Sequence, residues 1–247
     1  MKAIILAAGR GQRMGHVTQD KPKCLTVFKG RPLIEWQLGA LQESGIEDIA
    51  IVRGYRSQQL AMYGSNFFEN RRWPRTNMVC SLMCAADWLE RFTCIVTYSD
   101  IFYNASAVKV LEKCSEEISI TYDPHWLALW SRRFEDPLCD AESFVLDGLG
   151  YLKAIGQPAK SVEDIEGQYM GLIKFTPAGW SKVVDFLHVL SQREIDRLDM
   201  TALLSFLIGN GIAISAVPVT EPWGEVDSES DLRIYEDMIA NGDLVFP

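Results

Sequence analysis

Along this chain, short and nearly continuous apolar runs are separated by stretches of helical spacing. The runs cover residues 3–7, 49–52, 94–98, 118–122 and 212–217. Runs this short, without polar alternation, mark strands buried on both faces. The spacing of apolar positions between and after them predicts helices over 33–44, 78–89, 105–113, 178–190, 202–208 and 229–239. Strands alternating with helices predict crossover connections, and hence an α/β fold with a mixed, mostly parallel sheet flanked by helices. One segment breaks the rhythm: residues 143–175 read as an antiparallel hairpin around Asp147-Gly148-Leu149-Gly150, with a further strand over 169–175. We expect a single domain over 1–247, with an insertion over about 124–176 forming a small antiparallel lobe.

Composition narrows the function classes. A chain of 247 residues, 48% apolar, can bury one large core. With 33 acidic against 24 basic side chains, its net charge of −9 argues against a nucleic-acid surface, which needs clustered cations. The apolar run at the N-terminus is too short for a secretion signal or a membrane span, so a cytoplasmic protein that does not enter membranes is expected. Six cysteines without a C-x-x-C pair or a nearby histidine suggest neither zinc nor redox chemistry, and they read as reduced core thiols.

In an open α/β sheet, ligands bind beyond the carboxyl ends of the strands. That rule singles out residues 9–23, 99–100, 123–130 and 223–227. The first of these follows strand one as Ala8-Gly9-Arg10-Gly11-Gln12-Arg13-Met14-Gly15 and runs on to Lys21-Pro22-Lys23. Closely spaced glycines let backbone N–H groups approach phosphate oxygens, and Arg13 and Lys23 add positive charge. An ordinary tight turn is the plain alternative. A dinucleotide site is a second alternative, but it needs an acidic residue ending the second strand, where Ile51-Val52-Arg53-Gly54 has none. The Gly-Lys-[Ser/Thr] of a Walker A loop is also missing.

Ala7-Ala8-Gly9-x-Gly11-x-Arg13-Met14, followed by Lys21-Pro22-Lys23-x-Leu25, resembles the first motif of the sugar-phosphate nucleotidyltransferase superfamily, which includes the CTP:phosphocholine cytidylyltransferases. The resemblance implies a Rossmann-like sheet and a magnesium-dependent transfer of NMP from an NTP, with release of pyrophosphate. It implies that Leu6, Ala7, Ala8, Gly9, Gly11 and Ser99 lie against the nucleotide and that Arg13 contacts its outer phosphates. Lys23 would then steady the α-phosphate, and Asn77 and Ser81 would meet the base.

Such chemistry depends on alignment and charge neutralisation, which calls for Mg²⁺ on one or two carboxylates. Asp100 closes the apolar run at 94–98, and alternation in Trp223-Gly224-Glu225-Val226-Asp227 puts Glu225 and Asp227 on one face. Either aspartate could instead cap a helix, with Asn104 available for the one and Ser228 and Asp231 for the other. The resemblance matches Asp100 and Asp227 to the family's metal-binding aspartates.

On the acceptor side, Trp126 and Trp130 stand four apart, so on a helical turn they share a face. With Asp123, Asp140 and Glu142 nearby they favour a cationic ammonium group, although both rings could equally be core. Arg132, Arg133 and Lys153 are the cations available to an acceptor phosphate. The segment from Glu166 through Tyr169 to Gly171 resembles the one that faces the acceptor in the cytidylyltransferase branch, and Asp140-Ala141-Glu142 and Ile155-Gly156 resemble that branch as well. The expected substrates are CTP and a small amine-bearing phosphate or phosphonate, such as phosphocholine or aminoethylphosphonate, acted on by a monomer or homodimer. A sugar-1-phosphate uridylyl- or thymidylyltransferase, and a non-catalytic nucleotide-binding module on the same fold, remain open at this point.

Overall fold

The structure, a computed structural model, describes residues 1–245; positions 246 and 247 of the expected domain lie outside the described residues. Its centre is a seven-stranded sheet in the order Ser215–Pro218, Ile118–Asp123, Gln168–Phe175, Cys94–Tyr98, Lys2–Ala7, Ile49–Arg53, Asn66–Glu69. Every neighbouring pair is parallel except those made by Gln168–Phe175, which runs antiparallel to both its neighbours. Strand one is buried over Ala3–Ala7, as a central strand covered on both faces by helices requires. Its register pairs Leu6 with both Val52 and Tyr98, so the loops after Ala7 and Tyr98 leave the sheet at one level. That alignment sets the glycine loop beside Asp100.

The residues expected to form a separate lobe divide into two parts. Glu142–Leu146 and Leu152–Pro158 make the hairpin, turning through Gly150 at φ +86°. The next strand, expected to close the insertion, instead runs through the middle of the main sheet. The helix expected over 78–89 is two short helices, Met78–Met83 and Ala86–Leu89. The chain bends at Ala85 (φ −99°, ψ 16°), and Trp88 meets Phe68 edge-on at 5.6 Å.

The strand expected from 212 begins at Ser215, because the residues before it finish a helix. Gly211, at φ +76°, donates to the Ile208 carbonyl, and the Ile212 amide donates to Leu207. These bonds cap Met200–Gly209 and use up the first apolar residues of the run. Two features carried no apolar run long enough to announce them: the edge strand Asn66–Glu69 and a two-stranded ladder of Ile101–Tyr103 with Trp223–Glu225. Helix Gln192–Arg197 was also unexpected, although its Ser191/Glu194 capping box is readable in the sequence.

Among the described residues no helix is long and apolar enough to cross a membrane. The expectation of core thiols holds for Cys24, Cys80 and Cys94, which are buried, and less well for Cys84 and Cys114, which are half-buried. It fails for Cys139, which is exposed because it closes the surface turn Pro137–Cys139.

Candidate active site

The glycine loop is built against one lysine. Gly11 sits at φ +71°, and a Cβ there would lie 2.8 Å from the Cβ, Cγ and Cδ atoms of Lys23. Only glycine permits both that backbone and that approach. Thr18 ties the far side of the loop down by donating its hydroxyl to the Gly11 carbonyl at 2.9 Å. The end of the second strand supports the near side: the Tyr55 amide donates to the Ala8 carbonyl at 3.0 Å. Pro22 precedes a short 3₁₀ turn, Lys23–Leu25, that leaves Lys23 buried with its ammonium facing the strand ends.

That ammonium stands between two carboxylates. Lys23 Nζ donates to Asp100 Oδ2 and to Asp227 Oδ1, each at 2.6 Å. Burial alone would push the lysine pKa down; Asp100, Asp227 and Glu225 outweigh it and raise the pKa. Asp227 Oδ1 also meets the Arg13 guanidinium at 3.0 Å, and Arg13 lies 3.6 Å from Asp140 on its other side.

The small ladder brings the carboxylates together. Ile101 pairs with Glu225, and the Val226 amide donates to the Asp100 carbonyl at 2.9 Å. Asp100, Glu225 and Asp227 consequently each present an oxygen within 4.8 Å of the others. Neither aspartate is spent on a helix. Ser228 and Asp231 form the capping box of Glu229–Ala240, leaving Asp227 free of that task. Asn104, not Asp100, holds the N-cap position of Ala105–Lys113. Burial, then the charges of Asp227 and Asp100, push the Glu225 carboxyl up to about 8, against the opposing pull of Arg133 and Lys23.

Asp100 Oδ1 is buried and has no hydrogen-bond partner. Three carboxylates around such an orphaned oxygen form the hard, oxygen-only donor set that suits Mg²⁺.

A cavity of about 340 Å³ opens beside this cluster. Its walls include Leu6, Ala8, Gly9, Gly11, Arg13, Lys23, Asn77, Ser81, Ser99 and Asp100 from among the residues singled out in the sequence, whereas Ala7 is buried behind them. Gln12, Trp73, Thr76, Met78 and Tyr98 also line it. Tyr98 is the last residue of its strand, so the strand-end rule applied one position earlier would have found it. Trp73 carries no comparable signal; it is brought in by the turn Trp73–Arg75 and by close contact with Gly54.

The residues expected on the acceptor side are scattered more widely. Trp126 and Trp130 lie in the core, 6.3 Å apart on helix Trp126–Arg133, and Trp126 Nε1 donates to the Ile165 carbonyl at 3.1 Å. Asp123 accepts from Trp223 Nε1 at 2.9 Å and from the His125 amide at 2.7 Å. Arg132 reaches the surface and pairs with Asp243 at 2.8 Å. Arg133 has a side chain with 0% exposure, placed behind Glu225 and Asp227. Glu142 and Lys153 are exposed on the hairpin, and Glu166 accepts from the Leu146 amide at the hairpin's edge. Tyr169 is buried, edge-on to Tyr98 at 5.8 Å. Of this group only Asp140 and Arg133 make ion pairs with the cationic or acidic groups of the cluster.

Residues 3–142 match the family described as the MobA-like NTP transferase domain. The CTP:phosphoglutamine cytidylyltransferase of Campylobacter jejuni is 36% identical, covering 95% of this chain and 98% of its own. The choline-phosphate cytidylyltransferase of Streptococcus pneumoniae is 28% identical, covering 98% of this chain and 99% of its own. Among solved structures, the inositol-1-phosphate CTP transferase from T. maritima superposes with a TM-score of 0.76 at 21% identity, covering all of this chain and 98% of its own. The CTP:phosphocholine cytidylyltransferase of S. pneumoniae does so at 0.73 and 22%, covering 96% and 98%. At those identities the superpositions speak for the fold, and they agree with the mixed, mostly parallel sheet found here. Taken with the matched span and the full-length relative, they place this chain in the MobA-like NTP transferase domain family, as a nucleotidyltransferase.

Proposed function

We propose that this protein transfers CMP from CTP to a small phosphate or phosphonate bearing a cationic nitrogen, and releases pyrophosphate. The observation that carries the reading is the meeting of Lys23 and Arg13 with Asp100 and Asp227 at the mouth of a cavity floored by glycine-loop backbone. A binder of nucleotides has use for the cations; converging carboxylates serve group transfer at phosphorus.

The triphosphate lies along Ala8 to Gln12, where glycine backbone replaces side chains, and the base occupies the end of the cavity formed by Thr76, Asn77 and Ser81. Asp100, Glu225 and Asp227 would hold a magnesium ion, which supplies charge neutralisation at the α-phosphate and the departing pyrophosphate. Lys23 turns from the carboxylates to the α-phosphoryl oxygens as negative charge develops there. Arg13 follows the outer phosphates. The acceptor's phosphate or phosphonate oxygen is already anionic at neutral pH, so attack in line requires no general base from the chain.

The names of the relatives favour CTP as donor: they act on phosphoglutamine, choline phosphate and, in Lancefieldella rimae, 2-aminoethylphosphonate. Asp140, beside Arg13, is the acidic group best placed to meet an ammonium on such an acceptor. The test is pyrophosphate release measured with each of four NTPs against phosphocholine, 2-aminoethylphosphonate, phosphoglutamine and glucose 1-phosphate. CTP with a nitrogen-bearing acceptor should be fastest; a preference for UTP or dTTP with the sugar phosphate would overturn the reading.

A further inference from the structure

Arg133 ends helix Trp126–Arg133 with its guanidinium fully enclosed, 4.7 Å from the Trp130 ring and 5.1 Å from that of Phe134. Its Nε donates to Asp231 Oδ1 at 2.9 Å. The other two nitrogens are aimed at the acidic cluster, with Nη1 3.6 Å from Glu225 and Nη2 3.6 Å from Asp227 Oδ2. Both are buried and neither completes a hydrogen bond.

Asp227 is therefore gripped on two sides: Oδ2 faces Arg133, while Oδ1 faces Lys23 and Arg13. The Asp227 amide adds a third hold by donating to Asp231 Oδ2 at 2.9 Å. An arginine with no exposed surface cannot meet an acceptor phosphate without first leaving its enclosure. Its charge is instead spent on the back of the carboxylates.

We propose that Arg133 is a positioning residue of the cation centre. It fixes which oxygens of Glu225 and Asp227 turn toward Asp100 and offsets their mutual repulsion, so that the group can receive a divalent ion. Groups that orient the ligands of a metal typically change its affinity 10- to 100-fold when removed. The inference rests on the cytidylyltransferase reading for the identity of the ion's companion, the nucleotide.

The experiment measures Mn²⁺ binding by electron paramagnetic resonance in the presence of CTP, with no acceptor added, for the wild type and for Arg133→Lys and Arg133→Gln. The Mg²⁺ half-saturation and the acceptor KM of turnover are measured alongside. Arg133→Gln should weaken Mn²⁺ binding roughly 10- to 100-fold, and Arg133→Lys, which keeps the charge but not the planar fork, should weaken it less. Acceptor KM, measured at saturating metal, should stay within about twofold of wild type. Should the glutamine variant fail to fold, Arg133→Lys and the milder Asp231→Asn, which removes the charge that anchors Nε and keeps one carbonyl oxygen for the Asp227 and Ser228 amides, carry the same readout.

Unchanged Mn²⁺ affinity in folded variants would overturn the proposal, as would a large rise in acceptor KM with metal binding intact. A wild type that binds no Mn²⁺ with CTP and releases no pyrophosphate would instead defeat the cytidylyltransferase reading itself.

Discussion

Lys23 and Asp227 lie 204 positions apart in the chain, and their charged ends meet at 2.6 Å. The lysine also touches Asp100 at the same distance, so an ammonium occupies the space between carboxylates where a metal ion would be held. In the free protein, Lys23 acts as the counter-ion of the cluster. Replacing it should therefore separate two properties that a general loss of structure would move together. Lys23→Met should lower kcat by about 10²- to 10³-fold, the usual loss of a group that stabilises transition-state charge, while strengthening Mn²⁺ binding in the absence of nucleotide. Unchanged turnover would remove Lys23 from the proposed chemistry.

Chelation should stop pyrophosphate release without unfolding the protein. The carboxylates are already partnered by Lys23, Arg13 and Arg133, so the cluster does not need an ion to be tolerated. Circular dichroism with and without EDTA should superimpose, and added Mg²⁺ should restore turnover.

Gly11→Ala combines two penalties. The backbone at φ +71° costs a side-chain-bearing residue about 1–2 kcal/mol, and the new methyl would press into the stem of Lys23. A fall in kcat of at least tenfold with a modest drop in Tm is expected. A variant with wild-type kinetics would show that the loop does not place Lys23.

Trp130 is fully enclosed, packed 6.3 Å from Trp126 and 6.1 Å from Trp223. Trp130→Ala should destabilise the fold by about 3–5 kcal/mol, the usual cost of emptying a core of an aromatic ring. Denaturant melts measure this directly. A stable variant with only a raised acceptor KM would return Trp130 to the ligand pocket.

Asp231 gives the protein an acid-sensitive joint. Burial would raise its carboxyl pKa, but the hydrogen bond and charge of Arg133 outweigh burial and hold it below the usual carboxylate range. A depressed native pKa means that the unfolded state binds the proton more tightly. The stabilisation is therefore complete above an unfolded aspartate's pKa of about 3.9 and is lost as pH falls through the native value. Thermal melts between neutral pH and strong acid should show a shallower acid limb for Asp231→Asn than for the wild type.

Most of the sheet was readable because its parallel strands, apart from the edge strand Asn66–Glu69, are short apolar runs, and the cavity because glycines and strand ends mark the places where ligands lie. Asp100 and Asp227 could be named from sequence, but their convergence could not, since it depends on the ladder of Ile101–Tyr103 with Trp223–Glu225. Segments of three residues, Ile-Phe-Tyr and Trp-Gly-Glu, are too short to announce a strand whatever their polarity. The acceptor side was less legible for a related reason. Paired tryptophans, acids and arginines have the same spacing whether they face a ligand or the core, and burial decides between the two. Arg133 shows this most sharply: its neighbour Arg132 lies at the surface, while Arg133 ends under the carboxylates because the helix turns it inward.

The ladder has a further consequence for how this molecule comes into being. A growing polypeptide can fold most of its sheet and still lack the strand that carries Glu225 and leads to Asp227. Until that late segment emerges and docks, Lys23 and Asp100 face each other without the remaining acids. The meeting of all three carboxylates thus arrives in one step, when residues 223–227 dock, and fragments ending before residue 223 should fail to acquire it whatever the quality of their core.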